Sequence, residues 1–361
     1  MYYTLPNDKI KEEKMKNVAI IGYGGQGTWH AEQILKSEVC TLSGVYDIKE
    51  NRRTAAKEKG ITVYNNNEEI FCDKNVDIIV IATPNDSHKD LAIEAFKHKK
   101  HVICEKPVET SVKNLQKMIS ESKKHGCFFT VHQNRRWDVD FLAVKSVIES
   151  QEIGEPISIE SRIHGSRGIP GDWRSLKKYG GGMLYDWGVH LIDQVLQLFK
   201  SKITSVDCKF THILNDEVDD GFKLSLSFED GKTALIEVGT YNFLSMPRFY
   251  MQCKEGTFMI EDWQKKGQVA KLKAWQEKDI TPVQNAAGIT KTMAPRNEET
   301  LSLYEIDRPQ SDVHDFYRNA VKAIDNKEES LIKLEEVVRV MRIMEEAKRS
   351  DKKGKRIKTK I

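Results

Sequence analysis

From Asn17 to about Gln133, short apolar runs alternate with longer amphipathic ones. That alternation predicts parallel strands joined by crossover helices. Strands are expected at residues 18–21, 41–46, 62–64, 76–82, 101–104 and 128–131. Val76-Asp77-Ile78-Ile79-Val80-Ile81 is almost continuously apolar, as suits a strand covered on both faces. Within 87–98, Leu91, Ala92, Ala95 and Phe96 recur at helical spacing and predict a core-facing stripe.

After roughly Trp137 the period changes. Phe222, Leu224, Leu226 and Phe228 alternate with Lys223, Ser225 and Ser227, the pattern of a strand with one wet face. Asp230-Gly231 predicts a tight turn, with 234–238 returning as the second strand of a hairpin. Ile157, Ile159 and Ile163 repeat the alternation, and Glu255-Gly256 separates 250–253 from 258–260. The second half is therefore expected to hold an antiparallel sheet. Two amphipathic helices close the chain, one with the stripe Val313, Phe316, Tyr317, Ala320, Val321 and Ile324, the other over 337–347. We find no internal repeat.

At 361 residues the chain is long enough for two domains. With 39% hydrophobic and 31% charged residues, it fits neither a disordered nor a fibrous composition. The formal charge of +3 is far from the concentrated basic surface of a nucleic-acid binder. Eight basic residues and one acidic residue fall in 348–361, which reads as a solvated chain end rather than a phosphate-binding tail. The six cysteines show no CxxC pair or zinc-ligand spacing and read as buried thiols of a reducing compartment. Residues 1–16 are polar and lack the apolar run of a signal peptide, and the longest hydrophobic stretch, around 78–82, is too short to span a bilayer. A cytoplasmic protein with no membrane partner is expected.

Gly22-Tyr23-Gly24-Gly25-Gln26-Gly27 directly follows the first strand and precedes a helical pattern at 28–35. In that context Gly22 makes the turn, Gly24 lets backbone approach a pyrophosphate, and Gly27 lets helix and strand pack. The helix amino terminus then faces the anion. Asp47 ends the second strand 20 residues beyond Gly27, where a carboxylate accepts hydrogen bonds from ribose hydroxyls and repels a 2′-phosphate. NAD is expected ahead of NADP, although Arg52 and Arg53 offer a phosphate some compensation.

Three further segments carry a resemblance: Ala82-Thr83-Pro84-Asn85 with His88, then Glu105-Lys106-Pro107, then the run from Gly180-Gly181-Gly182 through Asp186 and His190 to Asp193. With the glycine loop, in this order, the chain resembles the Gfo/Idh/MocA oxidoreductase family, named for glucose-fructose oxidoreductase and inositol dehydrogenase. The likeness covers nearly the whole chain, and the Gly-containing return at 350–357 matches the family's usual ending. It implies an α/β protein. A Rossmann domain with a doubly wound parallel sheet (1–134, of which 1–16 are a polar extension) precedes an α/β domain (135–361) with a large, open, mostly antiparallel sheet. The substrate lies between the two, and the open sheet implies a homo-oligomer, dimer or tetramer. Gly22, Asp47, Thr83 and Lys106 all fall at the carboxyl ends of strands, where open parallel sheets gather ligands.

Oxidising a secondary alcohol requires a base for the hydroxyl proton while hydride leaves carbon, and a neutral imidazole suits that near pH 7. His190 is read as the base. Asp186, four residues earlier, shares its helix face and orients the substrate or the imidazole. Lys106 is read as holding the reacting oxygen. The resemblance implies these roles for the matching Lys, Asp and His, with the proton acceptor varying among members. Seen alone, Asp186 and His190 would be a helix surface pair and Lys106 a surface charge; beside a nucleotide loop they read as a reaction centre.

The implied cofactor contacts are Gly22, Tyr23, Gly24, Gln26, Gly27, Asp47, Thr83, Asn85, His88, Glu105, Lys106 and Gln133, with Trp173 and Arg174 near them. Arg135 and Arg136 follow Gln133 and bind either solvent or the pyrophosphate. His164, Tyr185, Tyr241 and the remaining histidines are left unassigned, and no metal-ligand spacing appears. The expected function is an NAD(H)-dependent dehydrogenase acting on a ring hydroxyl of a carbohydrate or cyclitol, with the 3-position of a glycoside as one version. The alternatives are a glycosidase that keeps NAD and oxidises transiently, and a non-catalytic nucleotide-sensing protein.

Overall fold

Five parallel strands form the first sheet: β1 (Lys16–Ile21), β2 (Cys40–Tyr46), β3 (Ile78–Ile81), β4 (His101–Cys104) and β5 (Phe129–Val131), in the order β2-β1-β3-β4-β5. The computed structural model describes residues 15–273, 283–284, 290–291, 296 and 299–361. Most of the polar start, residues 1–14, lies outside them. The crossovers carry α1 (Gly25–Ile34), α2 (Glu50–Glu58), α3 (Asn67–Cys72), α4 (His88–Lys97) and α5 (Val112–His125). All four residues of β3 are buried, as a continuous apolar run between two helix layers requires.

The segment expected as a strand at 62–64 makes only a single parallel bridge, Val45 to Val63, beyond β2. One amide and one carbonyl of Val45 pair with Thr62 and Tyr64, and the chain then turns away into Asn65-Asn66 and α3. Strand order reverses between β1 and β3, so the crevice beyond their carboxyl ends is the switch point of the sheet. Gly22 and Thr83 stand on its two sides.

After α6 (Val139–Ser150), β6 (Pro156–His164) and α7 (Val189–Leu198) lead into β7 (Ile203–Thr211), β8 (Gly221–Phe228), β9 (Thr233–Gly239), β10 (Phe249–Cys253), β11 (Gly256–Ile260) and β12 (Gly267–Leu272). A two-residue pair, β13 (Val283–Gln284) with β14 (Thr290–Lys291), precedes β15 (Leu301–Ile306). The chain ends with α8 (His314–Ile324), α9 (Leu334–Lys353) and β16 (Ile357–Lys358). Nine of these strands form one sheet in the order β15-β12-β11-β10-β6-β9-β8-β7-β16. Only β6 and β9 pair in parallel there; the other neighbours are antiparallel. The basic end is thus partly structural, because Ile357 and Lys358 add an edge strand to β7.

Each sheet has its own core. Val144, Leu191, Ile192, Val195, Met344 and Ala347 cover one face of the large sheet. The first core also takes in Phe316, Tyr317, Ala320, Val321 and Met341, so a boundary at 134–135 divides the strands but not the cores. α7 is clamped to the rim of the first sheet: Arg136 Nη2 and Nε reach the two carboxylate oxygens of Asp193 at 2.6 and 2.7 Å, and Nη2 also meets Glu336 at 2.8 Å. Breaking such a buried bidentate pair costs about 3–5 kcal/mol. Arg136 is therefore a structural clamp and is not available to solvent or pyrophosphate. All six cysteines are free; five are buried or half-buried, whereas Cys72, the last residue of the short α3, is exposed. Among the described residues no helix is long and apolar enough to cross a membrane.

Candidate active site

The glycine turn is built as its spacing requires. Gly22 has φ +94°, and a β-carbon there would lie 2.6 Å from the carbonyl oxygen of Ala82, so only glycine lets β1 turn so close to the neighbouring strand. At Gly27 a β-carbon would meet the Gly22 oxygen at 1.8 Å, which seats α1 directly on the turn. Gly24 and Gly25 instead face open space, and no side chain caps the first amides of α1. Those free N–H groups and that clearance fit a pyrophosphate.

Asp47 stands beside the turn. Its Oδ2 accepts the amide of Tyr23 and its Oδ1 the amide of Lys49, both at 2.8 Å, and each oxygen keeps a lone pair for a ribose hydroxyl. The ring of Tyr23 is buried, so it is the Tyr23 backbone that borders the turn. Gln26 is exposed next to it. Arg53 spends Nη1 on the carbonyls of Asp47 and Ile48, at 2.7 and 3.0 Å, while Arg52 is exposed.

On the other side of the crevice, Thr83 accepts a hydrogen bond from Ser87 at 2.7 Å and stays half-exposed. Asn85 and His88 are buried and engaged with protein partners. Asn85 Nδ2 donates to the carbonyls of Tyr179 and Gly180, tying the first sheet to the loop before the reaction residues. The His88 ring nitrogens lie 2.9 and 3.3 Å from the carbonyls of Thr83 and Val108. Glu105 likewise turns inward, to His30 and His132, rather than into the cleft. In each case the side chain follows the last pleat or first turn of its element, which points into the core.

Of the three candidate reaction residues, Lys106 and Asp186 meet directly. Lys106 Nζ donates to Asp186 Oδ1 at 3.0 Å and to the Asp186 carbonyl at 2.9 Å. Arg174 Nε reaches the second carboxylate oxygen at 3.1 Å, its Nη1 pairs with Asp172 at 2.7 Å, and its guanidinium lies over Trp173 at 4.7 Å. Arg174 thus belongs to the Asp186 cluster, a role its sequence neighbours did not reveal. Burial raises the pKa of Asp186, but the Lys106 and Arg174 charges outweigh it and hold the carboxyl below its ordinary value.

His190 is buried, and its Nδ1 has no hydrogen-bond partner. Desolvation, and then the charges of Lys106 and Arg135, push its pKa well below that of a free imidazole. The ring is neutral at pH 7, an unspent proton acceptor. Asp186 does not bond it, so only the substrate-orienting half of the expected Asp186 role survives. The reason is backbone geometry. Leu184–Gly188 form a π-helical turn ahead of α7, so the two residues do not follow α-helical i,i+4 spacing. Asp219 holds the start of that turn, accepting the amides of Met183 at its carbonyl and Leu184 at Oδ2, at 3.0 and 2.7 Å. Burial pushes the Asp219 carboxyl up to about 7.

Two features were not legible in the sequence. An aromatic wall adjoins His190: its ring centroid lies 6.3 Å from Trp187, which lies 5.6 Å from Trp263, and Arg135 stacks on Trp187 at 4.0 Å. Arg135 therefore belongs to this wall, stacked also on Trp263 at 5.6 Å. The second is a buried group of His30, Glu105 and His132, whose ligand-type atoms lie within 4.8 Å of one another. Next to His132 in sequence, both amide atoms of buried Gln133 lack a protein partner, a pair of unspent polar groups that fits the carboxamide of a nicotinamide.

Comparison with known proteins agrees with this layout. A model of the oxidoreductase family's NAD-binding Rossmann fold matches residues 16–133, and one of the GFO/IDH/MocA C-terminal domain matches residues 141–259. The scyllo-inositol 2-dehydrogenase (NADP+) IolW of Bacillus subtilis is 25% identical over 98% of both chains. The myo-inositol 2-dehydrogenase of Thermotoga maritima is 28% identical over 61% of this chain and 67% of its own. The chain spans about half, 53–55%, of the length of three uncharacterized oxidoreductases that it matches at 32–35% identity. A crystal structure of an NAD-binding protein from Listeria innocua is 43% identical, with a TM-score of 0.92, covering 96% of this chain and 100% of that one. With a family model matching each half of the chain, and with the glycine turn and the Lys106–Asp186 pair built as described, the chain belongs to the Gfo/Idh/MocA oxidoreductase family.

Proposed function

We propose that the chain is an NAD(H)-dependent dehydrogenase that oxidises a secondary ring hydroxyl of a sugar, glycoside or cyclitol, with Lys106, Asp186 and His190 as its catalytic residues. The observation that carries this reading is the pairing of Lys106 with Asp186 beside an unbonded, neutral His190. Lys106 spends part of its ammonium on Asp186 and keeps a donor for the substrate oxygen, where negative charge grows as the proton leaves. Asp186, fixed by two cations, is an acceptor that orients a neighbouring hydroxyl. His190 takes the hydroxyl proton. When bound, the nicotinamide accepts the hydride.

Asp47 supports NAD over NADP, since its carboxylate stands where a 2′-phosphate would lie and Arg53 is occupied with backbone carbonyls. Trp187 and Trp263 support a ring substrate, because aromatic faces complement the C–H face of a pyranose or inositol. The relatives named for inositol oxidation point the same way. The test is a panel of inositols, free sugars and glycosides with NAD and with NADP, followed by absorbance of the reduced cofactor. Net NADH with at least one ring polyol is expected. Turnover of a glycoside with no NADH accumulation would assign the glycosidase alternative, and inertness throughout would favour a nucleotide sensor.

A reducing, cytoplasmic setting is supported by six free thiols. We also read the open face of the nine-stranded sheet as a surface for a second copy of the chain. Ile157, Tyr250 and Leu303 are exposed on this sheet, and a hollow of about 470 Å³ is lined by Tyr250, Met259, Leu303 and Tyr304. Light scattering is expected to give a dimer or tetramer, and Leu303→Glu with Tyr250→Glu a smaller species; a wild-type monomer contradicts this.

A further inference from the structure

We propose that Glu68, Cys72 and His98 form a surface site for one zinc-type divalent cation, separate from the reaction centre. Cys72 ends α3 ahead of β3, and His98 follows α4 ahead of β4. The site is therefore at the amino ends of the strands, opposite the carboxyl-end crevice that holds Gly22, Thr83 and Lys106. It stands independently of the dehydrogenase reading.

The Cys72 thiol lies 3.2 Å from Glu68 Oε1 and 3.9 Å from His98 Nδ1, and the ligand-type atoms of the three residues all lie within 4.8 Å of one another. Glu68 and Cys72 are about one helical turn apart on α3. No sequence spacing announces the third ligand, because His98 is 26 residues from Cys72 and reaches it only through the fold. Sulfur, imidazole nitrogen and carboxylate oxygen are the donors zinc takes, and tetrahedral bonds of about 2.3 Å to sulfur and about 2.0–2.2 Å to nitrogen or oxygen place neighbouring ligand atoms roughly 3.4–3.6 Å apart. The observed 3.2 and 3.9 Å fall on either side of that separation.

His98 is also oriented as a ligating imidazole is. Its Nδ1 faces the sulfur, while Nε2 lies 3.4 Å from Glu94 Oε1, four residues back on α4. A carboxylate behind the distal nitrogen fixes the ring and raises its basicity toward a metal. The ring also packs beside Phe71, centroid to centroid at 5.7 Å.

The charges balance. On binding, the thiol gives its proton to solvent, and the thiolate and the Glu68 carboxylate together neutralise a divalent cation. A sulfur and an imidazole select zinc over magnesium or calcium, which prefer oxygen throughout. Of the six cysteines, Cys72 is the exposed one, so it is the thiol that a cation in solvent reaches first. A bound ion would clip α3 to the end of α4 and, by binding the folded chain alone, stabilise the first domain.

The test titrates the full-length, untagged protein with Co2+, a spectroscopic stand-in for zinc, and then adds Zn2+ as competitor. One equivalent should bind with a thiolate-to-cobalt charge-transfer band that Zn2+ abolishes. Cys72→Ser should remove the band. His98→Ala should weaken Co2+ binding at least about tenfold, and Glu94→Gln should keep the band while weakening binding about tenfold, the scale of a lost outer partner. Zn2+ should raise the Tm of the wild type and leave that of Cys72→Ser unchanged. If a variant does not fold, the wild type decides by alkylation: protection of Cys72 from iodoacetamide by Zn2+ supports the site, and equal labelling with and without Zn2+ overturns it. Absence of the band, a band that survives Cys72→Ser, or unchanged affinity in His98→Ala likewise overturns the inference.

Discussion

Replacing Lys106 by Met should leave a folded protein that still binds NAD and turns over at least about a hundredfold more slowly. The methionine side chain fills much of the same space but offers no donor to the oxygen that becomes anionic as hydride departs. Loss of one such preorganised donor in other enzymes costs roughly a hundred- to a thousandfold in rate. Asp186 would keep Arg174 at 3.1 Å, so its carboxylate stays ionised and the π-helical turn keeps its shape. Steady-state kinetics on whichever ring polyol the panel identifies, with NAD titration as the control, reads the effect. A rate within threefold of the wild type would remove Lys106 from the reaction centre.

His190→Asn is expected to lower turnover by about two to four orders of magnitude, the usual contribution of a positioned general base. The accompanying pH profile is the more particular result. A base works when deprotonated, and the folded protein holds His190 well below its ordinary value of 6.5 through burial and the charges of Lys106 and Arg135. In the oxidative direction kcat/KM should therefore show no loss from His190 protonation between pH 9 and 6.5, and that loss should begin only at more acid pH. The same depressed pKa stabilises the fold above the unfolded pKa and forfeits that stability as pH falls. The acid limb must accordingly be recorded where circular dichroism shows the protein still folded. An acid limb centred near 7 in the wild type, or one unchanged in His190→Asn, would assign the proton to another group.

The strands were legible because burial writes itself into hydrophobic period, and β3 and β8 follow their patterns residue by residue. Residues 62–64 show the limit: the short segment Thr62-Val63-Tyr64 at a sheet edge has one neighbour to pair with, and a single bridge is all it forms. The glycine turn, Asp47, Lys106 and the Asp186–His190 segment were legible because each is a local motif at the end of a strand or the start of a helix. Which way a motif's side chains point was not. Glu105 and Lys106 are adjacent, yet one faces the core and the other the cleft, and sequence alone does not fix that pleat. Arg174 meets Asp186, and His30 meets His132, across distances that only the assembled fold closes. The π-helical turn leaves no trace in residue pattern because it is a choice among backbone hydrogen bonds.

The most direct measurement is the fate of deuterium placed on the reacting ring carbon of the substrate. Lys106, Asp186 and His190 around a nicotinamide predict that the label moves intact to C4 of the cofactor, one deuterium for each ketone formed. Label recovered in solvent water would mean that the carbon gives up a proton rather than a hydride, and the proposed chemistry of the site would be wrong.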